Sequence, residues 1–125
     1  MVKNYKDLIV WQKSMAFVTA VYRLTRAFPA DERFGLTNQL RRASVSVPSN
    51  IAEGHARQSD PEFARFLAIA NGSLAEVDTQ LTIAFNLGFV GEDDFRNGSS
   101  LADELARMIQ ALRSTVTNNL NPTNN

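Results

Sequence analysis

Six polar residues, Gln39, Arg42, Ser46, Asn50, Glu53 and Arg57, follow one another at spacings of three and four. On a helix this spacing puts all six on one side. Ser73, Glu76 and Gln80 repeat the pattern further along the chain. Both sets run beside an apolar stripe, so they lie at the edge of a core, where polar groups need partners. Residues of these types can close a hydrogen-bond network between helices or subunits through Gln39, Arg42, Ser46, Asn50, Glu53, Ser73 and Glu76, or they can line a ligand site. A second set is basic: Lys13, Arg23, Arg26, Arg41 and Arg42, all from the first half of the chain. The planar fork of arginine suits phosphate. No aromatic residue interleaves with these cations in the sequence as a base-stacking platform would require, so contact with a phosphate backbone is the expected mode. Arg42 can instead be tied up by Glu53 or Glu76. If it pairs there, Arg41, which points outward, is the better phosphate ligand.

Catalytic chemistry finds little to work with. A di-iron bundle needs Glu-x-x-His on two helices and two further glutamates, whereas this chain has one histidine, His55, in Glu53-Gly54-His55. A Ser-His-Asp triad would need that same histidine beside an activated serine. With no cysteine there is no disulfide, thiolate metal site or cysteine nucleophile. Neither a Walker pattern nor G-x-G-x-x-G occurs. The expectation is a protein without catalytic residues, metal or cofactor.

The 125 residues suit one domain, and net charge is zero. The charge is nevertheless divided: residues 1–60 carry 9 Lys/Arg against 5 Asp/Glu, and residues 61–125 carry 4 against 8. The halves can attract one another, or they can form one basic and one acidic face. No apolar run approaches a membrane span, and MVKNYKDLIVW lacks the form of a signal peptide, which predicts a cytoplasmic protein.

Four amphipathic segments must position these side chains. The first spans about residues 5–28 and carries two adjacent stripes, Leu8, Trp11, Met15, Val18, Tyr22 and Val10, Phe17, Val21, Leu24, Phe28. Together they cover about half the helix, wider than the ~100° a single core requires. The excess implies either a second subunit or a thick core. The second segment spans about residues 32–57, with Asp31 as N-cap and the stripe Leu36, Leu40, Ala43, Val47, Ile51. Pro48 lies inside it, yet the stripe keeps phase through the proline. This predicts a helix bent near Pro48, with the proline ring turned away from the core.

The third segment opens on Ser59-Asp60-Pro61-Glu62, a start signal, and ends at Gly88. Its stripe is Phe63, Leu67, Ala70, Leu74, Val77, Leu81, Ala84, and its small residues Gly72 and Ser73 suit close helix approach. The fourth carries Phe95, Ala102, Leu105, Ile109, Leu112 and Val116. The fold class is all-α, an antiparallel up-down-up-down four-helix bundle over residues 1–118, with a disordered tail over 119–125.

The stretches DLIVWQKS, Tyr22 with LTRAFP, GLTNQLRRASVSVPSNIAEGHAR, and FLAIANGSLAEVDTQL followed by NLGF carry a resemblance. The chain resembles the bacterial four-helix bundle family of 23S rRNA intervening-sequence proteins, which includes the accessory variability determinant of diversity-generating retroelements. The resemblance covers about residues 5–116. It implies a four-helix bundle assembling as a ring-like homopentamer. The retroelement member binds nucleic acid and works with a reverse transcriptase, so the resemblance implies RNA or DNA, and a reverse transcriptase, as partners. The expectation is a non-enzymatic oligomeric binding protein that meets nucleic acid through a basic surface of its first two helices. The alternative is a structural or accessory scaffold whose partner is another protein.

Overall fold

The computed structural model describes residues 2–120, with the side chains of 119 and 120 excepted. Four helices account for most of this span: α1 (Ile9–Thr25), α2 (Leu36–Ala56), α3 (Asp60–Asn86) and α4 (Glu92–Leu120). No strand occurs among the described residues. Each helix packs on two neighbours, in the order α1, α2, α3, α4 and back to α1, and the backbones of the diagonal pairs stay apart. Short connections make successive helices antiparallel, which is the up-down-up-down bundle. Residues 121–125 of the expected tail lie outside the described residues, while 119 and 120 fall within α4. No described helix is long and apolar enough to cross a membrane.

The stripes of α2 and α3 are buried throughout. Leu40, Val47, Ile51, Leu67, Ala70, Val77 and Ala84 have no accessible surface, and Leu36, Ala43, Phe63, Leu74 and Leu81 have little. On α1 the two stripes part company. Val10, Phe17 and Val21 enter the core, joined by Phe28 just beyond the helix. Leu8, Trp11 and Val18 are half-buried, and Met15 and Tyr22 are exposed.

Boundaries differ from expectation at two starts. Residues Tyr5–Asp7 form a 3-10 turn, with the Asn4 side chain accepting from the Lys6 amide, and Leu8 is extended, so α1 begins at Ile9. Asp31 does not cap α2. It lies in a second 3-10 turn, Ala30–Glu32, set by Pro29, and α2 begins only after Gly35. The α3 terminus follows expectation. Gly88 has φ +79°, its amide donates to Phe85 O at 3.0 Å, and the Phe89 amide reaches back to Ala84 O at 2.9 Å. These are the paired bonds of a Schellman motif.

Two further expectations need correction. α2 runs unbroken through Pro48, but the proline is buried rather than turned to solvent. It sits about 100° round the helix from Val47, on the flank shared with Arg41, and Arg41 touches α1. α2 is covered from two sides, so its buried arc is wider than its stripe. Gly72 also plays no part in close approach: a Cβ there would meet nothing within 4 Å. The close approach is at Gly54, whose added Cβ would lie 2.5 Å from Phe66 Cβ and 3.2 Å from Phe63 Cδ1. Only glycine lets α2 and α3 come this near at their shared end.

Candidate nucleic-acid interface

The polar stripe at the α2–α3 seam is joined only in part. Ser46 and Ser73 share a hydroxyl–hydroxyl bond of 2.8 Å across the seam. Asn50 donates to Ser46 O at 2.7 Å and to Ser46 Oγ at 2.8 Å, and Ser73 Oγ donates to Ile69 O at 3.3 Å. These three side chains form a small closed network holding α2 against α3. Gln39, Arg42, Glu76 and Gln80 line the groove beside it without joining in. The shielded Oε1 of Gln80 has no hydrogen-bond partner. Arg42 pairs with neither Glu53 nor Glu76: Glu53 lies about 16 Å further along the axis of α2 and is engaged by Arg57 at 3.1 Å.

The five basic candidates do not form one patch. Lys13 forms an ion pair with Glu104 across the α1–α4 seam. Its hydrogen bond and positive charge hold the Glu104 carboxyl below the usual carboxylate range. Arg41, expected to point outward, is half-buried against α1. Its Nε donates to Thr25 Oγ1 at 2.9 Å, its Nη2 donates to Tyr22 O at 3.4 Å, and its guanidinium lies 4.6 Å from the Tyr22 ring centroid. The cause is the buried Thr25 hydroxyl, which donates to Val21 O and so presents its oxygen to the arginine. Arg23 and Arg26 are exposed at the end of α1, and Arg42 is exposed on α2.

A further pair, Arg33 and Phe34, stands at this same end. Both are exposed, and the Arg33 guanidinium lies 5.0 Å from the Phe34 ring centroid. Sequence reasoning placed them inside the second helix and passed over them. The signal was present: Phe34 is about 160° out of phase with Leu36 and its stripe. The expectation that no aromatic ring accompanies the cations is also corrected, since Tyr22 and Phe34 both do.

Of the other cations, Arg113 donates to Ala64 O at 3.2 Å, Lys3 and Lys6 form no ion pair among the described residues, and four arginines are matched by carboxylates. Arg57 meets Glu53 and Glu62, Arg65 meets Glu62 at 2.8 Å, Arg96 meets Glu92, and Arg107 meets Asp103. The hydrogen bond from Arg65, with the charges of Arg65 and Arg57, outweighs desolvation and lowers the Glu62 pKa. By contrast Arg23, Arg26, Arg33, Arg41 and Arg42 form no ion pair among the described residues. His55 is structural: its Nε2 bonds Val2 O at 2.8 Å and its ring meets Phe63 edge-on. No cluster of His, Cys, Asp or Glu among the described residues could hold a metal.

A family model described as 23S rRNA-intervening sequence protein matches residues 6–111. The fold is similar to that of a protein of unknown function from the S23 ribosomal protein family of Bacteroides thetaiotaomicron VPI-5482, with a TM-score of 0.76 and 19% identity, covering 84% of this chain and 98% of that one. At that identity the likeness speaks for the fold alone. No curated protein matches the chain.

Proposed function

The chain belongs to the family of 23S rRNA-intervening sequence proteins, and from that premise we propose that it is a non-enzymatic, self-assembling protein that binds nucleic acid through phosphate contacts. One observation carries the reading. Among the described residues the arginines of α1, α2 and their connection stand without carboxylate partners, while Lys13 and four of the remaining arginines are paired. An arginine that is not internally neutralised keeps its full attraction for phosphate, and releasing counterions from the nucleic acid supplies the affinity. Arg23, Arg26 and Arg42 are the phosphate ligands in this reading. Lys13 and Arg41, engaged by Glu104 and by α1, contribute only to the field.

Self-assembly is supported by the uncovered stripe of α1. Met15 is 43% exposed, and Val45 on the neighbouring α2 is 39% exposed. A ring of five copies, as the family resemblance implies, would multiply the arginine surface although each chain is neutral. The same stripe favours a second reading, a scaffold whose partner is another protein, a reverse transcriptase among the candidates.

Anisotropy titrations with RNA and DNA, repeated over a range of salt, test the first reading. Binding should weaken steeply with salt, with a log–log slope of about 0.9 per duplex phosphate contacted. Sequence preference should be weak, because phosphate contacts position a protein without reading bases. No binding at tens of micromolar would move the assignment to the scaffold. Light scattering should give a mass near five times the 13.9 kDa chain, and a monomer mass would remove the assembly.

A further inference from the structure

Phe34 is 84% exposed, more than any other large apolar side chain among the described residues. It lies in the connection between α1 and α2, with the Arg33 guanidinium over its ring. Seven residues on, Arg41 lies over the ring of Tyr22, which is itself 39% exposed. The chain from Tyr22 to Arg42 carries five arginines and only two acidic residues, Asp31 and Glu32. None of the five arginines is in an ion pair among the described residues. One end of the bundle therefore combines exposed aromatic faces with uncompensated guanidinium groups.

We propose that this end, centred on Phe34 and flanked by Tyr22, Arg23, Arg26 and Arg33, is a site for an unpaired nucleic-acid strand. Bases stack on the Phe34 and Tyr22 rings while the arginines meet the phosphates between them. The inference rests on the nucleic-acid reading above and narrows its ligand. Every base has a π face, so an exposed ring among cations takes up successive bases without reading their identity. A duplex keeps its bases stacked on one another and offers the protein only phosphates and groove edges. The rings therefore contribute to binding only when the strand is single, and this favours an unpaired strand over a double helix. Arg33 and Arg41 also lie over the two rings, which places a cation beside each bound base.

The experiment compares labelled single-stranded RNA, single-stranded DNA and duplex DNA of about 12 nucleotides at low salt, with wild-type protein, Phe34→Ala and Phe34→Trp. Both single strands should bind at least about tenfold tighter than duplex. Phe34→Ala should weaken single-strand binding about tenfold, in line with loss of one base stack, and leave duplex binding within about twofold. Phe34→Trp should bind single strands as well as wild type. If one single strand alone binds, its sugar is recognised and the stacking mode still holds.

Duplex bound as tightly as single strands, or single-strand binding unmoved by Phe34→Ala, would overturn this inference while leaving the phosphate reading intact. Absence of binding to all three ligands would overturn both. Light scattering on Phe34→Ala closes the remaining route. A lower assembled mass would place Phe34 at a contact between copies and would also overturn the proposal.

Discussion

Both ends of α2 set arginines over an aromatic ring, and the two arrangements differ in what surrounds them. At the Ala56 end, Arg57 and Arg65 lie 5.1 and 4.5 Å from the Phe66 ring, which is only 6% exposed. Glu53 and Glu62 neutralise both guanidinium groups. At the Leu36 end, Arg33 and Arg41 lie 5.0 and 4.6 Å from Phe34 and Tyr22, the rings are exposed, and no carboxylate among the described residues answers either cation. The same pair of residue types closes the bundle at one end and leaves a charged aromatic surface at the other. Burial of the ring and the presence of a partner carboxylate decide which, and stacking distance does not.

The largest expected contrast follows from truncating each ring. Phe66→Ala should destabilise the fold by about 3 kcal/mol, the usual cost of emptying a buried aromatic site. Phe34→Ala should stay within about 0.5 kcal/mol, as exposed positions do. Urea unfolding of both variants measures this, and equal losses would erase the distinction between the ends. Next in size is Gly54→Ala. Alanine favours a helix by about 1 kcal/mol over glycine, but here its Cβ would sit 2.5 Å from Phe66 Cβ. That atom is fixed to the backbone and cannot swing aside, so overpacking should win, with a net loss of about 2 kcal/mol. The same change at Gly72, where the space is open, should stabilise the protein by about 0.5–1 kcal/mol. A Gly54→Ala protein as stable as wild type would mean that the closed end is loosely packed.

Much of this architecture is legible in the sequence, for definite reasons. The stripes of α2 and α3 keep one phase over many turns, and a long amphipathic period leaves little choice of buried face. Gly88 announces its own role, because few other residues tolerate φ +79°. What could not be read depends on neighbours that the chain order does not reveal. Pro48 reads as outward from the α2 stripe alone and is buried because α1 covers that flank. Arg41 reads as outward for the same reason and is captured by Thr25. Glu53 lies about three turns beyond Arg42 on α2 and pairs with its near neighbour Arg57, so Arg42 is left without an ion pair among the described residues. Phe34 was hidden by placing the helix start too early, since inside a helix it would have been one more apolar residue.

The smallest effect concerns pH. The Glu62 carboxyl is held below its ordinary value by the hydrogen bond and charge of Arg65, aided by Arg57. A carboxyl whose folded pKa is depressed adds stability above its unfolded pKa and loses it as pH falls through the folded one. Stability should therefore decline as pH drops into and below the ordinary carboxylate range. Glu62→Gln should show a shallower decline than wild type, with urea midpoints compared from neutral to acid pH. An unchanged profile would show that the closed end does not depend on its ion pairs.

Charge reversal at the two ends tests the central claim most directly. Arg23→Glu with Arg26→Glu should weaken nucleic-acid binding by more than about tenfold and lower the salt slope by about 0.7 for each single-strand phosphate that is no longer neutralised. Arg57→Glu with Arg65→Glu changes net charge by the same amount at the closed end. Comparison of the two double variants separates a local site from a general loss of positive charge. The account predicts that the closed-end variant, once shown to be folded by circular dichroism, binds within about threefold of wild type at moderate salt, where exposed charges more than ~10 Å away are screened. Equal weakening in the two variants, or a greater weakening at the closed end, would contradict it.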